Sequence, residues 1–378
     1  MSWVEKSLGE VLKLEYGKPL DKSLRKEDGK YPAYGANGIK AWSDEYFHDE
    51  ETIVVGRKGS AGELTLTDGK FWPLDVTYFV KTNKNDYDIK FLYYLLLSLD
   101  LPSLATGVKP GINRNNVYKI QAKFPSRSTQ KQLVAQLDKA FADIEQARLN
   151  TEQNLRNARE LFDSYLQQAF CESGDRDVKG ELGEFCFIKH GFAFKSDFFV
   201  EKSDYVLLTP GNFYERGGYR DRGEKQKYYG GDIPQEYILD KGALLVAMTE
   251  QAVGLLGATA LIHSNNRFLH NQRLGLVKLI DEYEGKIDLE YLFHLFNTNY
   301  FRNQVQKTAT GVKVRHTSPK KLMKIEVAIP KSIATQKNIV NELNFLHSQT
   351  VCLEDIYTKK LTALDELKQS LLQQLLVS

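Results

Sequence analysis

Enzymatic chemistry needs particular groups at particular spacings, and this sequence offers few of them. His263 and His270, the latter beside Asn271, carry imidazoles suited to a metal, but no carboxylate or cysteine stands at ligand spacing from either. Glu63 and Asp75 with Lys58 or Lys70 could supply the acidic and basic groups of a metal-assisted nuclease, yet a second stretch of the same plan holds Leu255 and Gln272 there. There is no glycine-rich phosphate loop followed by Lys-Ser/Thr and no strand-glycine-helix fingerprint for a dinucleotide or methyl donor. The Asn/Asp-Pro-Pro-aromatic run that places an amino group for methylation is also missing. What is plentiful is a different set. Glycine-held turns carry Arg57, Lys58 and Ser60 in "GRKGSAG" and Thr249, Glu250 and Gln251 in "AMTEQAVG". The pentapeptide ATGVK occurs twice, followed by Lys109, Arg114, Asn115 and Asn116 or by Lys313, Arg315 and His316. Arginine, lysine, asparagine and glutamine have donor patterns that match base edges and phosphates. Any one of them also suits a solvated loop; their grouping within repeated turns is what points to nucleic acid.

Those turns sit in a duplicated framework. Leu8-Gly9-Glu10 pairs with Leu182-Gly183-Glu184, and Gly17 with Gly191, at an offset of 174. Sliding further pairs Gly62 with Gly254 at 192, "FWPLDVTYFV" with "FLHNQRLGLV" at 197 and "DIKFLYYLL" with "DLEYLFHLF" at 200. The ATGVK pair follows at 204 and Thr129-Gln130-Lys131 with Thr335-Gln336-Lys337 at 206. An offset that only grows is the signature of a duplication with loop insertions. Eighteen of the added residues lie between Gly191 and Gly254, around "GNFYERGGYRDRGEKQKYYGGD", where Tyr214, Arg216, Tyr219, Arg220 and Arg222 could enter a groove or stack. Period-two patterning predicts strands in "TIVVG", "VTYFV", "ALLVAM" and "RLGLVKLI"; "DIKFLYYLLLSL" and "DLEYLFHLFNTNYF" predict helices.

Each copy ends in a tail free of proline and glycine over 130–170 and 336–376. Spacings of three and four repeat in both tails in the same phase, through Leu137, Ile144, Ala158, Leu161 and Tyr165 in one and Leu343, Leu353, Tyr357, Leu364 and Leu371 in the other. Asn154, Thr151 and Lys360 interrupt the stripe. Each tail can run as one helix of about forty residues, roughly 60 Å long, which is more than one domain can cover. We therefore expect the tails to pack on each other, and antiparallel pairing would place the two domains at opposite ends of a rigid spacer.

Bulk properties agree with two soluble domains: 378 residues, 42% hydrophobic and 26% charged, with a net charge of +2 that announces no polyanion globally. Three scattered cysteines predict neither a disulfide framework nor a zinc knuckle. The start of the sequence lacks a signal-peptide pattern, so a cytoplasmic protein is expected. The apolar run 91–104 is broken by Asp100 and Pro102 and predicts a buried core helix.

The ordered set "KSLGEVLKLEYGKPLDK", "YPAYGANGIKAW", "TIVVGRKGSAG", "ATGVKPGINRNNVYKI" and "FPSRSTQKQLVAQLDKAF", with its second copy in "GELGEFCFIKHGFAFKSDFF", "ATGVKVRHTSPKKLMKIEVAIP" and "TQKNIVNEL", resembles the DNA specificity subunit of type I restriction-modification systems over essentially the whole chain. The resemblance implies an α+β fold: two duplicated mixed α/β target recognition domains separated by a pair of long antiparallel coiled-coil helices. It places target recognition domains at 1–128 and 178–334 and spacer helices at 129–172 and 335–378. It implies no catalytic residue, metal or cofactor of the chain's own. Its implied partners are double-stranded DNA, two modification (methyltransferase) subunits and, through them, restriction subunits. The resemblance puts the turns around 57–60, 109–116, 249–251 and 313–316 on the DNA face, and with the residues read from the hairpin and the insert the expected DNA-binding set is Asn37, Arg57, Lys58, Ser60, Lys109, Arg114, Asn115, Asn212, Tyr214, Arg220, Thr249, Gln251, Lys313 and Arg315. The second turn lacks the basic pair of the first, so equal phosphate contacts are not expected. A coiled-coil scaffold and a DNA-modifying enzyme with degenerate motifs remain the alternatives at this level.

Overall fold

The computed structural model describes residues 3–171, 177–251 and 253–377. The chain forms two compact units, one of Met1–Asn154 with Ile356–Ser378 and one of Leu155–Asp355. In the first, a four-stranded antiparallel sheet runs in the order Leu12–Tyr16, Thr77–Thr82, Ile53–Gly56, Leu64–Leu66. All three side chains of Ile53–Gly56, those of Ile53, Val54 and Val55, are apolar and buried, as a continuous β-branched run predicts for a central strand covered on both faces. The helix Ile89–Ser98 packs Phe91, Leu92, Leu95 and Leu96 against this sheet, so the expected core helix is borne out as far as Ser98; beyond it Leu101–Leu104 is a short turn with Pro102 and Ser103 exposed. A three-stranded sheet (Gly38–Ser43, Tyr31–Gly35, Trp72–Pro73) forms separately, and Val4–Ser7 pairs with Gln121–Phe124.

The second unit repeats the plan. Its sheet order is Cys186–His190, Leu274–Leu279, Leu244–Ala247, Thr259–Leu261, each strand the counterpart of one above. The strand register corrects one sequence pairing. Val54 faces Phe79 and Leu245 faces Leu276, which fixes the offset at 191 on entering the turn, and Leu64–Leu66 against Thr259–Leu261 fixes it at 195 on leaving. Gly62 therefore corresponds to Gly257, not Gly254: both have φ near +80° (85° and 81°), and both donate their N–H to the last strand residue's carbonyl, Gly56 or Ala247, at 2.8 Å. Four residues have been added inside this turn. Arg57 then aligns with Met248 and Lys58 with Thr249. The expected helix over "DLEYLFHLFNTNYF" is two helices, Leu289–Phe296 and Asn299–Thr308, because Thr298 caps the second through its hydroxyl, which accepts from the Phe301 N–H (3.2 Å).

The tails are helices Arg127–Cys171 and Ile333–Leu376. Residues 172–176, where the first spacer boundary was expected to fall, are outside the described set. Within each unit the two helices run antiparallel. In the first, the Arg148 guanidinium meets Asp365 at 2.6 Å and Lys368 lies over the Phe141 ring, while Leu137, Leu372 and Leu376 enter the domain core. In the second, Arg159 meets Glu354 (2.7 Å), Phe162 meets His347, and Phe162, Leu166 and Leu343 form a buried cluster. Helix-to-helix and helix-to-domain packing therefore coexist. Leu137, Ala158 and Leu343 are buried; Ile144, Tyr165, Tyr357, Leu364 and Leu371 are half-buried on the same faces. Leu161 and Leu353 are exposed at 66% and 38%, against expectation. The order of three- and four-residue steps reverses after the buried Thr151, so Phe162 takes the inward place given to Leu161, and Glu354 rather than Leu353 turns toward the first helix. The same drift turns Asn154 and Lys360 out to solvent, so neither costs packing. Among the described residues no helix is long and apolar enough to cross a membrane.

Candidate nucleic-acid interface

In each unit the two turns singled out by sequence are laced into one surface by backbone bonds. In the first, Thr106 and Gly111 exchange both N–H···O bonds at 3.0 Å and close the ATGVK loop. Gly59 N–H donates to the Pro110 carbonyl (2.9 Å) and Ile112 N–H to the Arg57 carbonyl (3.0 Å), joining that loop to "GRKGSAG". In the second, Thr310 and His316 exchange both bonds (3.0 and 2.8 Å), Thr249 and Glu250 pair with His316 and Arg315, and Thr317 N–H donates to the Met248 carbonyl (2.9 Å). Gly107 and Gly311 take φ of 92° and 101°, which fits glycine at the tip of both loops. The scaffold is thus common and the side chains on it are not.

On the first surface Lys58, Lys109 and Asn115 are exposed, and Arg57, Ser60 and Arg114 are half-buried. Asn37 is exposed at the tip of the Tyr31–Gly35/Gly38–Ser43 hairpin, on the neighbouring sheet. On the second surface Gln251 and Lys313 are exposed and Thr249 is half-buried. Arg315 is partly neutralised: its Nη1 donates to Glu250 Oε1 at 3.1 Å and its Nη2 to the Gln306 carbonyl at 3.2 Å. Glu250, 3% exposed, also accepts the Gly254 and Leu256 N–H groups through Oε2 (3.1 and 2.8 Å). A carboxylate that sequence reading grouped with the reading turn is instead the turn's internal anchor.

The inserted segment divides in the same way. Tyr214 (53% exposed) and Arg220, whose guanidinium lies 6.0 Å from the Tyr214 ring, face solvent. Asn212 is 1% exposed: its amide donates to Gln226 Oε1 and its Oδ1 accepts from the Thr209 N–H and hydroxyl, each at 3.0 Å. It cannot reach a ligand, and its role is to hold the turn. Tyr219 packs on Phe268 and His263, and Arg216 is ion-paired with Asp163 of the first long helix (3.1 Å). Arg302, which sequence reading passed over, ties this segment to the turn: Nη1 donates to the Glu215 carbonyl (3.0 Å) and Nη2 to that of Gly254. Burial pushes its guanidinium down to about 10, so it is a structural cation.

The enzymatic candidates do not assemble. Asp75 and Glu63 are exposed, and it is the Asp75 carbonyl, not its carboxylate, that accepts from Arg57. His270 is fully buried with Nε2 against the Leu274 carbonyl (3.0 Å), and burial pushes its pKa down to about 4. His263 lies against the Tyr219 and Phe268 rings. Among the described residues no three His, Cys, Asp or Glu side chains are grouped to hold a metal ion.

Comparison with known proteins gives this geometry its context. The model for the type I restriction modification DNA specificity domain matches residues 1–152 and 177–362, most of the chain in two copies. A Haemophilus influenzae chain provisionally named as a type I restriction enzyme specificity subunit is 23% identical over 346 residues, 88% of this chain and 84% of that one. The EcoprrI specificity subunit of Escherichia coli is 28% identical over 140 residues, 35% of each chain. Among solved structures, a chain from work on complex assembly and conformational transition of the type I R-M system superposes with a TM-score of 0.76 at 14% identity, covering 99% of this chain and 97% of that one. The HsdS subunit of Thermoanaerobacter tengcongensis gives 0.59 at 15% identity, covering 99% and 96%. The fold of two mixed domains with two long antiparallel helices is shared with these chains. Two copies of the family's domain, matched over most of its length, place this chain in the type I restriction-modification DNA specificity family, as its target-reading subunit.

Proposed function

We propose that each unit reads one half of a bipartite double-stranded DNA target through its laced turns, with Arg57, Lys58, Lys109, Arg114 and Asn115 in the first unit and Gln251, Lys313, Tyr214 and Arg220 in the second meeting the duplex. The observation that carries this is the common backbone lacing under divergent side chains, which suits two related readers of different base strings. The long helices set the distance between the half-sites and carry part of the docking surface for two modification subunits, which in turn hold the restriction subunits. Leu161, Phe345, Val351 and Leu353, all exposed on the helices of the second unit, supply apolar anchors for such docking. The domain bounds 1–128 and 178–334 serve this division, and a cytoplasmic setting follows from the partners. The test is DNA protection by the chain assembled with its modification subunits. Two short protected patches flanking an indifferent gap are expected; one continuous footprint, or none, contradicts the reading.

A further inference from the structure

The first unit contains a cluster with no equivalent in the second. Tyr16, last residue of its strand and 48% exposed, lies under two guanidinium groups: Arg57 Cζ is 5.3 Å and Arg114 Cζ 4.9 Å from its ring centroid. The two arginines arrive from different turns, one from "GRKGSAG" and one from the first position of the short helix Arg114–Tyr118. Each is fixed by a main-chain carbonyl: Arg57 donates through Nε (3.2 Å) and Nη2 (2.6 Å) to Asp75, and Arg114 through Nη1 (3.2 Å) to Leu14. The Tyr16 ring is in turn backed by Tyr78 at 5.1 Å. Among the described residues neither arginine forms an ion pair. Two like charges are therefore held on one ring, with several N–H donors unspent and their geometry already set. Such an arrangement costs repulsion in the free protein and is relieved by an anion.

The strand register gives two counterparts, and the matched bonds Ile112 N–H to Arg57 and Thr317 N–H to Met248 set the offset after the ATGVK loops at 205, which gives the third. Tyr16 corresponds to His190, Arg57 to Met248, which is 2% exposed, and Arg114 to Pro319, which opens the matching helix Pro319–Leu322. The second unit has neither the tyrosine nor either guanidinium, and Arg315, the arginine of its own laced turns, is already bonded to Glu250.

We propose that Tyr16, Arg57 and Arg114 form a phosphodiester clamp that takes the DNA backbone beside the half-site read by the first unit, and that this unit supplies more of the salt-dependent affinity than the second. Tyr16 acts as the positioning residue and the two arginines as the phosphate ligands. The proposal rests on the DNA-reading function above, and the experiment separates the two. Full-length chain assembled with its modification subunits is titrated with target duplex over a range of salt concentrations. The double variant Arg57→Gln/Arg114→Gln is expected to lower the slope of log affinity against log salt by about 1 to 2, the release expected for one or two phosphate contacts. Arg57→Lys/Arg114→Lys keeps the charge, so it should retain the slope while weakening binding. Tyr16→Leu should weaken binding at every salt concentration, and His190→Leu should leave both quantities as in the parent. If the parent protects two patches but the Gln variant keeps the parent slope, the clamp is wrong and the reading function stands. If the parent shows no bipartite protection, the reading function itself fails.

Discussion

The side-chain amide of Gln130 accepts the backbone N–H of Asp88 through Oε1 at 2.8 Å, joining the first turn of a spacer helix to the N-cap of the helix Ile89–Ser98. The same amide donates from Nε2 to the carbonyls of Asp86 (3.1 Å) and Pro125 (3.0 Å). Gln336 repeats all three bonds in the second unit, to the Asp288 N–H (2.8 Å), the Lys286 carbonyl (3.0 Å) and the Pro330 carbonyl (2.8 Å). Both glutamines are essentially buried, at 1% and 0% exposure. The joint through which each reading domain would transmit its orientation to the spacer is thus a three-bond staple written twice.

Removing a staple takes the side-chain partner from three backbone groups whose bonds are mostly part-buried. Gln130→Ala or Gln336→Ala is expected to destabilise the chain by about 1–3 kcal/mol, since water can replace part of the lost bonding. Gln130→Glu should cost as much, since a carboxylate cannot donate to the two carbonyls. Urea unfolding monitored by circular dichroism checks this; a loss under about 0.5 kcal/mol would show that the staple is dispensable.

The same residues show how much was legible in the sequence. Thr-Gln-Lys marked the position of the staple, because duplication displays matched residues without explaining them. The two long helices, four central sheet strands and the two turn pairs were readable from periodicity and glycine placement, whereas the break between Leu289–Phe296 and Asn299–Thr308 was not. The Gly62 match was not: a four-residue insertion inside a turn leaves no periodic trace, and a nearby Gly254 satisfied the alignment. Asn212 looked like a reader because asparagine serves a base edge and a tight turn equally well, and only burial separates the two. Tyr16 escaped because a strand-end tyrosine gives no hint of the arginines that two distant turns bring to it.

The drift along the long helices gives a paired prediction. Leu137→Ala and Leu343→Ala, each at 0% exposure, should cost about 2–5 kcal/mol. Leu161→Ala and Leu353→Ala, both exposed, should change stability by less than about 0.5 kcal/mol while weakening assembly with modification subunits. Equal thermal destabilisation of the two pairs would contradict the observed phase.

Glu250 should behave as an anchor, not as a contact. Glu250→Ala takes from Arg315 its carboxylate partner, leaving only the Gln306 carbonyl, and leaves two backbone N–H groups without their acceptor; a loss of about 2–4 kcal/mol is expected, tempered because Arg315 is partly exposed. Glu250→Gln should retain part of that stability. A variant of wild-type stability with altered half-site preference would instead make Glu250 a reader.

Acidification should act on the second unit's histidines. Burial pushes His270 and His294 down to about 4, the latter with Nε2 against Asn344 Oδ1 at 3.0 Å. Both rings are neutral in the fold while the unfolded chain protonates near 6.5, so the unfolded state binds more protons between about 6.5 and 4. Stability is therefore intact above that window and falls as pH drops through it, by a few kcal/mol in all. Proton NMR should show two imidazoles that do not titrate above about pH 5; titration of all seven near 6.5 would refute the assignment.

The central claim is that two readers share one ruler. Seven residues in heptad phase can be inserted into each long helix, after Asn154 and after Asp355, lengthening both by about 10 Å. Methylated sites are then sequenced in cells carrying the complete system with the parent or the lengthened chain. The account predicts the same two half-sequences separated by a gap longer by up to about three base pairs. Methylation at the original gap, or a change in either half-sequence, would contradict it.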